Sequence, residues 1–321
     1  MKGEAPAEFA VIDVPSGLGL RSSGTDRLPS ALRRAGLVSR LGAGEGGIVS
    51  QGAAPAGERD SRTRLLNGPG IHDTQLELAR IVAATIGRGF IPLVLAGDCS
   101  VVLGGLLGLR RAAADTGRGP RPGLLFVDGH VDFYQPEASP TGEVADMDLA
   151  LATGRGPDLL SRLDPSGPLV RDDDVAALGA RDAGERRAAG SQEIETTGIH
   201  LFEIEAVRSL GIDAAARQAV AVVARPELEP GFWLHLDADV LDDDVMPAVD
   251  YRLPGGLSPA ELTTVLRTAR SSGRLAGMSV GIYNPALDPD GKAGAKLVDI
   301  VVPGLSDAPG ADAQKPQTTL V

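Results

Sequence analysis

Short runs of apolar residues alternate along this chain with longer stretches in which apolar side chains recur at helical spacing. Phe9-Ala10-Val11-Ile12-Asp13-Val14 is the first run and stops at Pro15-Ser16-Gly17, which predicts a buried strand and then a loop. Leu28, Leu32, Ala35 and Leu41 predict a helix over 28–41, and the Gly-, Ala- and Ser-rich residues 42–70 predict a long surface loop. Leu76, Leu78, Ala79, Val82 and Ala83 predict a helix over 73–87, followed by the continuous apolar run Ile91-Pro92-Leu93-Val94-Leu95-Ala96. Further apolar runs lie at 124–127, 175–179, 232–236 and 275–280, with helical spacing at 206–210, 214–223 and 259–271. Ser258 and Glu261 stand where a capping box would begin the last of these helices. Apolar strands alternating with amphipathic helices predict an α/β fold, a mostly parallel sheet covered on both faces. No repeat or linker divides the chain, so one domain is expected over residues 1–303. The polar, Pro- and Gly-containing residues 304–321 are expected to be a disordered C-terminal tail.

Composition narrows the setting more than the chemistry. With 43% hydrophobic residues but only 3% aromatic ones, the core must be filled by Leu, Val, Ile and Ala. A net charge of −12 argues against a nucleic-acid or anionic-membrane partner. Cys99 is the one cysteine, so no disulfide forms within the chain and a reducing cytoplasm fits. The start of the chain lacks a basic segment followed by an apolar run, and no stretch is long and apolar enough to span a bilayer. A soluble, cytoplasmic protein is the expectation.

Three of the buried runs end in polar clusters: Gly97-Asp98-Cys99-Ser100, Asp128-Gly129-His130-Val131-Asp132 and His235-Leu236-Asp237-Ala238-Asp239. Ligands of open parallel sheets bind beyond the carboxyl ends of the strands, where all three clusters fall. In an extended segment Asp128, His130 and Asp132 can point one way, as can His235, Asp237 and Asp239. So many carboxylates gathered in a partly buried place repel one another unless divalent cations join them. Asp and His donors suit Mn²⁺, Fe²⁺, Co²⁺ or Zn²⁺. Taken singly each motif is weak, since an Asp-x-Asp is usually a loop cap and a lone cysteine a small buried hydrophobe. Asp172-Asp173-Asp174 and Asp242-Asp243-Asp244 read as solvated loops. Joint occurrence at three strand ends carries the metal reading.

These residues resemble the arginase/agmatinase (ureohydrolase) family, whose metal motifs are Gly-Gly-Asp-His-Ser, Asp-Ala-His-x-Asp and Ser-x-Asp-x-Asp-x-x-Asp-Pro. The resemblance extends to Pro254-Gly255-Gly256-Leu257-Ser258 and Tyr283-Asn284-Pro285, and spans about residues 9–300. It implies a three-layer α/β/α sandwich and two divalent ions, Mn²⁺ in the first place, with Zn²⁺ or Fe²⁺ as alternatives because of Cys99. One ion would be held by Cys99, Asp128, Asp132 and Asp237, the other by His130, Asp128, Asp237 and Asp239. The ions would share the hydroxide that attacks a guanidine-like carbon, oriented by Asp132. Relatives of this kind often assemble as homo-oligomers.

The departures from that pattern steer the expected function. Cys99 stands for a histidine ligand, either as a softer thiolate ligand or as a residue that binds nothing. Ala145 occupies the position of the family's proton-shuttling histidine; Glu143, Asp146 or His235 are the candidates to replace it, unless Asp146 is a helix cap and Glu143 a loop residue. Ile282 stands for the glutamate that grips a guanidinium, a loss worth roughly 3–5 kcal/mol to a buried cation. Arg181-Asp182-Ala183-Gly184-Glu185 shortens the segment that reads an amino-acid end. His235 replaces a serine and is expected to support Asp237, to shuttle protons, or to be packed. The reading is a binuclear metal hydrolase of C–N bonds in a guanidino or amidino compound, neither arginine nor agmatine. Asp132 and His235 are its catalytic candidates, and Glu143 and Asp146 its substrate-binding candidates. Alternatives are a hydroxyguanidino substrate, or a catalytically silent metal-binding relative.

Overall fold

Eight strands form one sheet: β1 (Phe9–Val14), β2 (Gly44–Ile48), β3 (Ile91–Ala96), β4 (Gly123–Val127), β5 (Val175–Leu178), β6 (His200–Phe202), β7 (Phe232–Asp237) and β8 (Leu275–Gly281). Their order is β2-β1-β3-β8-β7-β4-β5-β6 and every pairing is parallel. The computed structural model describes residues 9–21, 24–50, 57–114 and 120–306. Every residue of β3, β4, β5 and β7 is buried, as expected of strands with helices on both faces.

One face is covered by the helices Leu28–Arg34, Ile212–Val223, Pro259–Ser271 and Lys292–Leu305, whose Leu32, Val220, Leu266 and Leu297 share a core with Leu93 and Leu234. The helices Gly68–Gly87, Val101–Ala114 and Asp148–Ala152 cover the other face, where Leu78, Leu106 and Leu149 pack with Val94 and Phe126. The result is a three-layer α/β/α sandwich. Ser258 and Glu261 close the capping box predicted for them.

Several boundaries depart from the sequence pattern. The helix expected over 28–41 is two pieces, Leu28–Arg34 and Leu37–Leu41, with Gly36 at φ 92° between them. The loop expected over 42–70 contains the edge strand β2 and the start of the helix Gly68–Gly87. β2 reads Gly-Glu-Gly-Gly-Ile and is partly exposed, so it carries no buried apolar signature. The last helix reaches Leu305, past the predicted boundary at 303, and the rest of the predicted tail, 307–321, lies outside the described residues. No described helix is long and apolar enough to cross a membrane.

Candidate functional site

The three polar clusters meet at the carboxyl edge of β3, β4 and β7. β3 ends at Ala96, and the next turn is held by Asp98, which accepts hydrogen bonds from Gly19 N at 3.0 Å and from Ser100 N at 3.0 Å. That turn points Cys99 inward, fully buried, so that its thiol donates to Asp237 Oδ2 at 2.9 Å. β4 stops at Val127, and the chain then turns, with Asp132 in the left-handed region at φ 44°. Asp237 ends β7 and caps a single 3-10 turn by accepting from Asp239 N at 2.7 Å. Asp132 and Asp239 therefore reach the cluster through turns, not through the strand alternation expected of them.

At one end of the cluster, His130 Nδ1 lies 3.0 Å from Asp239 Oδ2, and Gly129 N donates to Asp239 Oδ1 at 3.1 Å. Gly129 must be glycine for this approach, since a Cβ there would lie 2.8 Å from Asp239 Oδ1 and 2.6 Å from Arg181 Nη1. Burial works to lower the His130 pKa, but Asp239 and Asp128 outweigh it and raise it to about 9. Burial likewise works to raise Asp239, yet His130 and then Arg181 hold it below the usual carboxylate range.

The other end is built differently. Burial, reinforced by neighbouring carboxylates, raises Asp128, Asp132 and Asp237 well above the ordinary range. The same burial, with Asp237, Asp148 and Asp132 close by, pushes the Cys99 thiol up. Asp128 Oδ2, His235 Nε2 and both carboxylate oxygens of Asp148 are buried without a hydrogen-bond partner. Three sets of donors come together, each with ligand atoms within 4.8 Å of one another: Asp128 with His130 and Asp239, Cys99 with Asp132 and Asp148, and Cys99 with Asp128 and His235. Converging carboxylates, an imidazole and a thiol, several of them without partners, fit divalent cations. A positive ion here would also reverse the shift of the thiol by favouring thiolate.

His235 lies beneath the cluster and does not line the cleft above it. Its ring is fully buried, stacks on Phe126 with centroids 5.0 Å apart, and places Nδ1 2.8 Å from Ser279 Oγ. Trp233 Nε1, which can only donate, gives its hydrogen to the same hydroxyl at 3.0 Å. Ser279 Oγ keeps a hydrogen to give and a second lone pair to accept with, so it can serve either tautomer of the ring. Burial lowers the pKa of this ring to about 3, so it is neutral. Of the roles expected for it, shuttling protons to a ligand in the cleft does not fit this position.

Above the cluster opens a cleft of about 130 Å³, lined by His130, Asp132, Asp237 and Asp239 at its floor and by Leu20, Tyr134, Glu143, Ala145, Asp146, Glu185, Tyr251 and Ile282 around it. Among the described residues neither Lys nor Arg lines it. Glu143 accepts from Arg21 N at 2.6 Å and from Tyr251 Oη at 2.7 Å, so both of its oxygens are engaged. Asp146 accepts from Ser139 Oγ and Thr141 Oγ1, each at 2.8 Å, while its Oδ1 has no partner. Burial, against those two bonds, raises its pKa to about 6. Ile282 holds φ 71°, a conformation that a β-branched residue rarely adopts. The structure thus brings all the sequence-predicted metal candidates together and places Glu143 and Asp146 on the cleft wall. Sequence reasoning missed Tyr251, Tyr134 and Asp148. A buried aspartate inside the apolar run Met147–Leu151 was the available signal for the last of these.

A sequence model described as the arginase family matches residues 7–302. The arginase of Bacillus caldovelox is 29% identical over 300 residues, covering 91% of this chain and 96% of that protein. Its crystal structure superposes with a TM-score of 0.83 at 27% identity, over 95% of this chain and all of that one (100%). The agmatine ureohydrolase of Thermoplasma volcanium, 18% identical with a TM-score of 0.65 over 94% of this chain and 90% of that one, shares the fold.

Proposed function

The chain belongs to the arginase family, and from that premise we propose that it is a binuclear metal-dependent hydrolase of C–N bonds in a guanidino- or amidino-type small molecule other than arginine or agmatine. The observation that carries this reading is the placement of His130, Asp132, Asp237 and Asp239 at the floor of an acidic cleft whose wall includes Ile282, with Asp128 grouped with His130 and Asp239. Cys99, Asp128, Asp132 and Asp237 would hold one ion, and His130, Asp128, Asp237 and Asp239 the other. Mn²⁺ suits the oxygen donors, whereas the thiol draws the selectivity toward Zn²⁺ or Fe²⁺. When bound, the pair of ions supplies a water acidic enough to attack a trigonal carbon at neutral pH.

Asp132, which lines the cleft, takes a proton on its carboxylate and aims the attack. The acidic wall draws a cationic or strongly hydrogen-bonding substrate inward. Asp146 Oδ1, free of protein partners, accepts from a substrate N–H, while Glu143 ties the Arg21 and Tyr251 segments into the wall. His235 acts from below, through Asp128 and Cys99, and not on the substrate. With Ala145 and Ile282 in the cleft, neither an imidazole nor a carboxylate stands at those two points. That favours a weakly basic group such as a hydroxyguanidine, which needs less charge pairing and less protonation of its leaving group.

Metal stoichiometry after loading with Mn²⁺ or Zn²⁺, for wild type and Cys99→Ala, tests the reading first. About two ions per chain, falling toward one in the variant, supports it. A panel of guanidino, amidino and hydroxyguanidino compounds screened for release of urea-type products then identifies the substrate class. Fewer than one ion per chain, or two ions with no turnover of any member of the panel, would replace it with a silent metal-binding relative.

A further inference from the structure

Asp148 opens the helix Asp148–Ala152 within an apolar segment, and Met147, Leu149, Ala150 and Leu151 around it are all buried. It is itself fully buried, and neither of its carboxylate oxygens meets a partner at good hydrogen-bond geometry, the backbone N–H of Leu149 being the one donor that acts on it. Among the described residues no cation offsets it: the side chains that act on it most strongly are the carboxylates of Asp98 and Asp146. A carboxylate so buried, with no side-chain partner and no cation beside it, is among the costliest arrangements a protein can hold. One of its oxygens, the Cys99 sulfur and an Asp132 oxygen lie within 4.8 Å of one another. Donors on a single ion are separated by up to about 4.5 Å, so small side-chain rotations close the three onto one cation.

The other partnerless atoms at this end are Asp128 Oδ2 and His235 Nε2. His235 Nδ1 is engaged with the Ser279 hydroxyl, and the ring groups with Cys99 and Asp128, not with Asp148. We propose that Asp148 is a direct ligand of the ion at the Cys99 end of the cluster, an inference that rests on the binuclear reading above. Asp148 adds a carboxylate beside the Cys99 thiolate on that ion. The anionic donors there are then Cys99, Asp128, Asp132, Asp148 and Asp237.

The test compares wild type with Asp148→Asn, which keeps the shape and removes the charge, by elemental analysis and by Co²⁺ titration. The near-ultraviolet thiolate-to-Co²⁺ band marks filling of the Cys99 end. We expect about two ions in the wild type and about one in D148N. Since loss of a mere supporting contact weakens metal binding about 10–100-fold, loss of a ligand should weaken Co²⁺ binding at the Cys99 end by at least ~100-fold. Metal-free D148N should melt higher than metal-free wild type, and gain less on metal addition. Asp148→Ser gives the same readout if the amide is not tolerated. Two ions bound by the variant with wild-type affinity and an unchanged thiolate band overturn the role of Asp148 and leave the binuclear reading standing. A wild type that binds fewer than one ion overturns both.

Discussion

The two ends of the carboxylate cluster lie a few ångströms apart and solve the same electrostatic problem in opposite ways. At the His130 end the charges balance within the protein: His130 pairs with Asp239, Gly129 N caps the second oxygen, and Arg181 stands behind. At the Cys99 end they do not. Asp148 and one oxygen of Asp128 are buried without partners, and the nearest ring, His235, is neutral. A region that satisfies its own charges can bind a cation or do without one, whereas a region that leaves them unsatisfied is shaped around the cation. Divergence within one metal cluster can thus be uneven, with one end conventional and the other rebuilt from different donors.

The largest effect expected is on turnover. Asp132→Asn should lower kcat about 10²–10⁴-fold, the usual worth of a positioned acid–base group, measured on whichever substrate the panel identifies. Next, Asp239→Asn strips His130 of its partner, and breaking such a buried pair should destabilise the metal-free protein by about 3 kcal/mol or more in urea unfolding. The matching change at the other end, D148N, should stabilise it, and equal signs for the two would break the comparison. The pair also predicts a pH signature. Because His130 is raised from 6.5 to about 9, its stabilisation of the metal-free fold is complete below pH 6.5 and fades as the pH rises through about 9. That step should vanish in Asp239→Asn.

Chelation comes third: removing ions present at 100 times their dissociation constant should cost about 2.7 kcal/mol of stability, seen as a lower Tm. Ser279→Ala follows, leaving Trp233 Nε1 and His235 Nδ1 unpaired at a cost of about 1–3 kcal/mol. Urea unfolding reads that loss. The smallest effect is that of Tyr251→Phe, which removes one half-exposed hydrogen bond to Glu143 and should cost about 1 kcal/mol in urea unfolding.

How much of this was legible in the sequence follows from burial. β3, β4 and β7 are covered on both faces, so their residues are almost uniformly apolar and read directly as strands. β2 sits at an edge and is built from glycines, so nothing in its pattern separates it from a loop. Asp128, His130, Asp132, Asp237 and Asp239 were legible because polar clusters interrupt the apolar runs at their ends. The reason they converge was not, since Asp132 depends on a left-handed turn and Asp239 on a one-turn helix. Tyr251 comes to Glu143 from 108 residues away, and no local pattern encodes such a meeting. Asp148 illustrates the reverse case, where the signal was local but looked like a stray charge.

The position of β8 in the sheet has a consequence for how the molecule is made. Among the described residues β8 is the last strand, yet it lies between β3 and β7 and pairs with both. Until residues 275–281 have been synthesised and inserted, the strands that carry Cys99 and Asp237 lack the strand that pairs with both. Closure of the sheet therefore waits on a contact of long sequence separation, the slow kind in folding. An ion at the Cys99 end thus comes after sheet closure, whereas the donors at the His130 end lie on the directly paired β4 and β7. A nascent chain halted before Leu275 should fail to retain the ion at the Cys99 end that the finished protein captures.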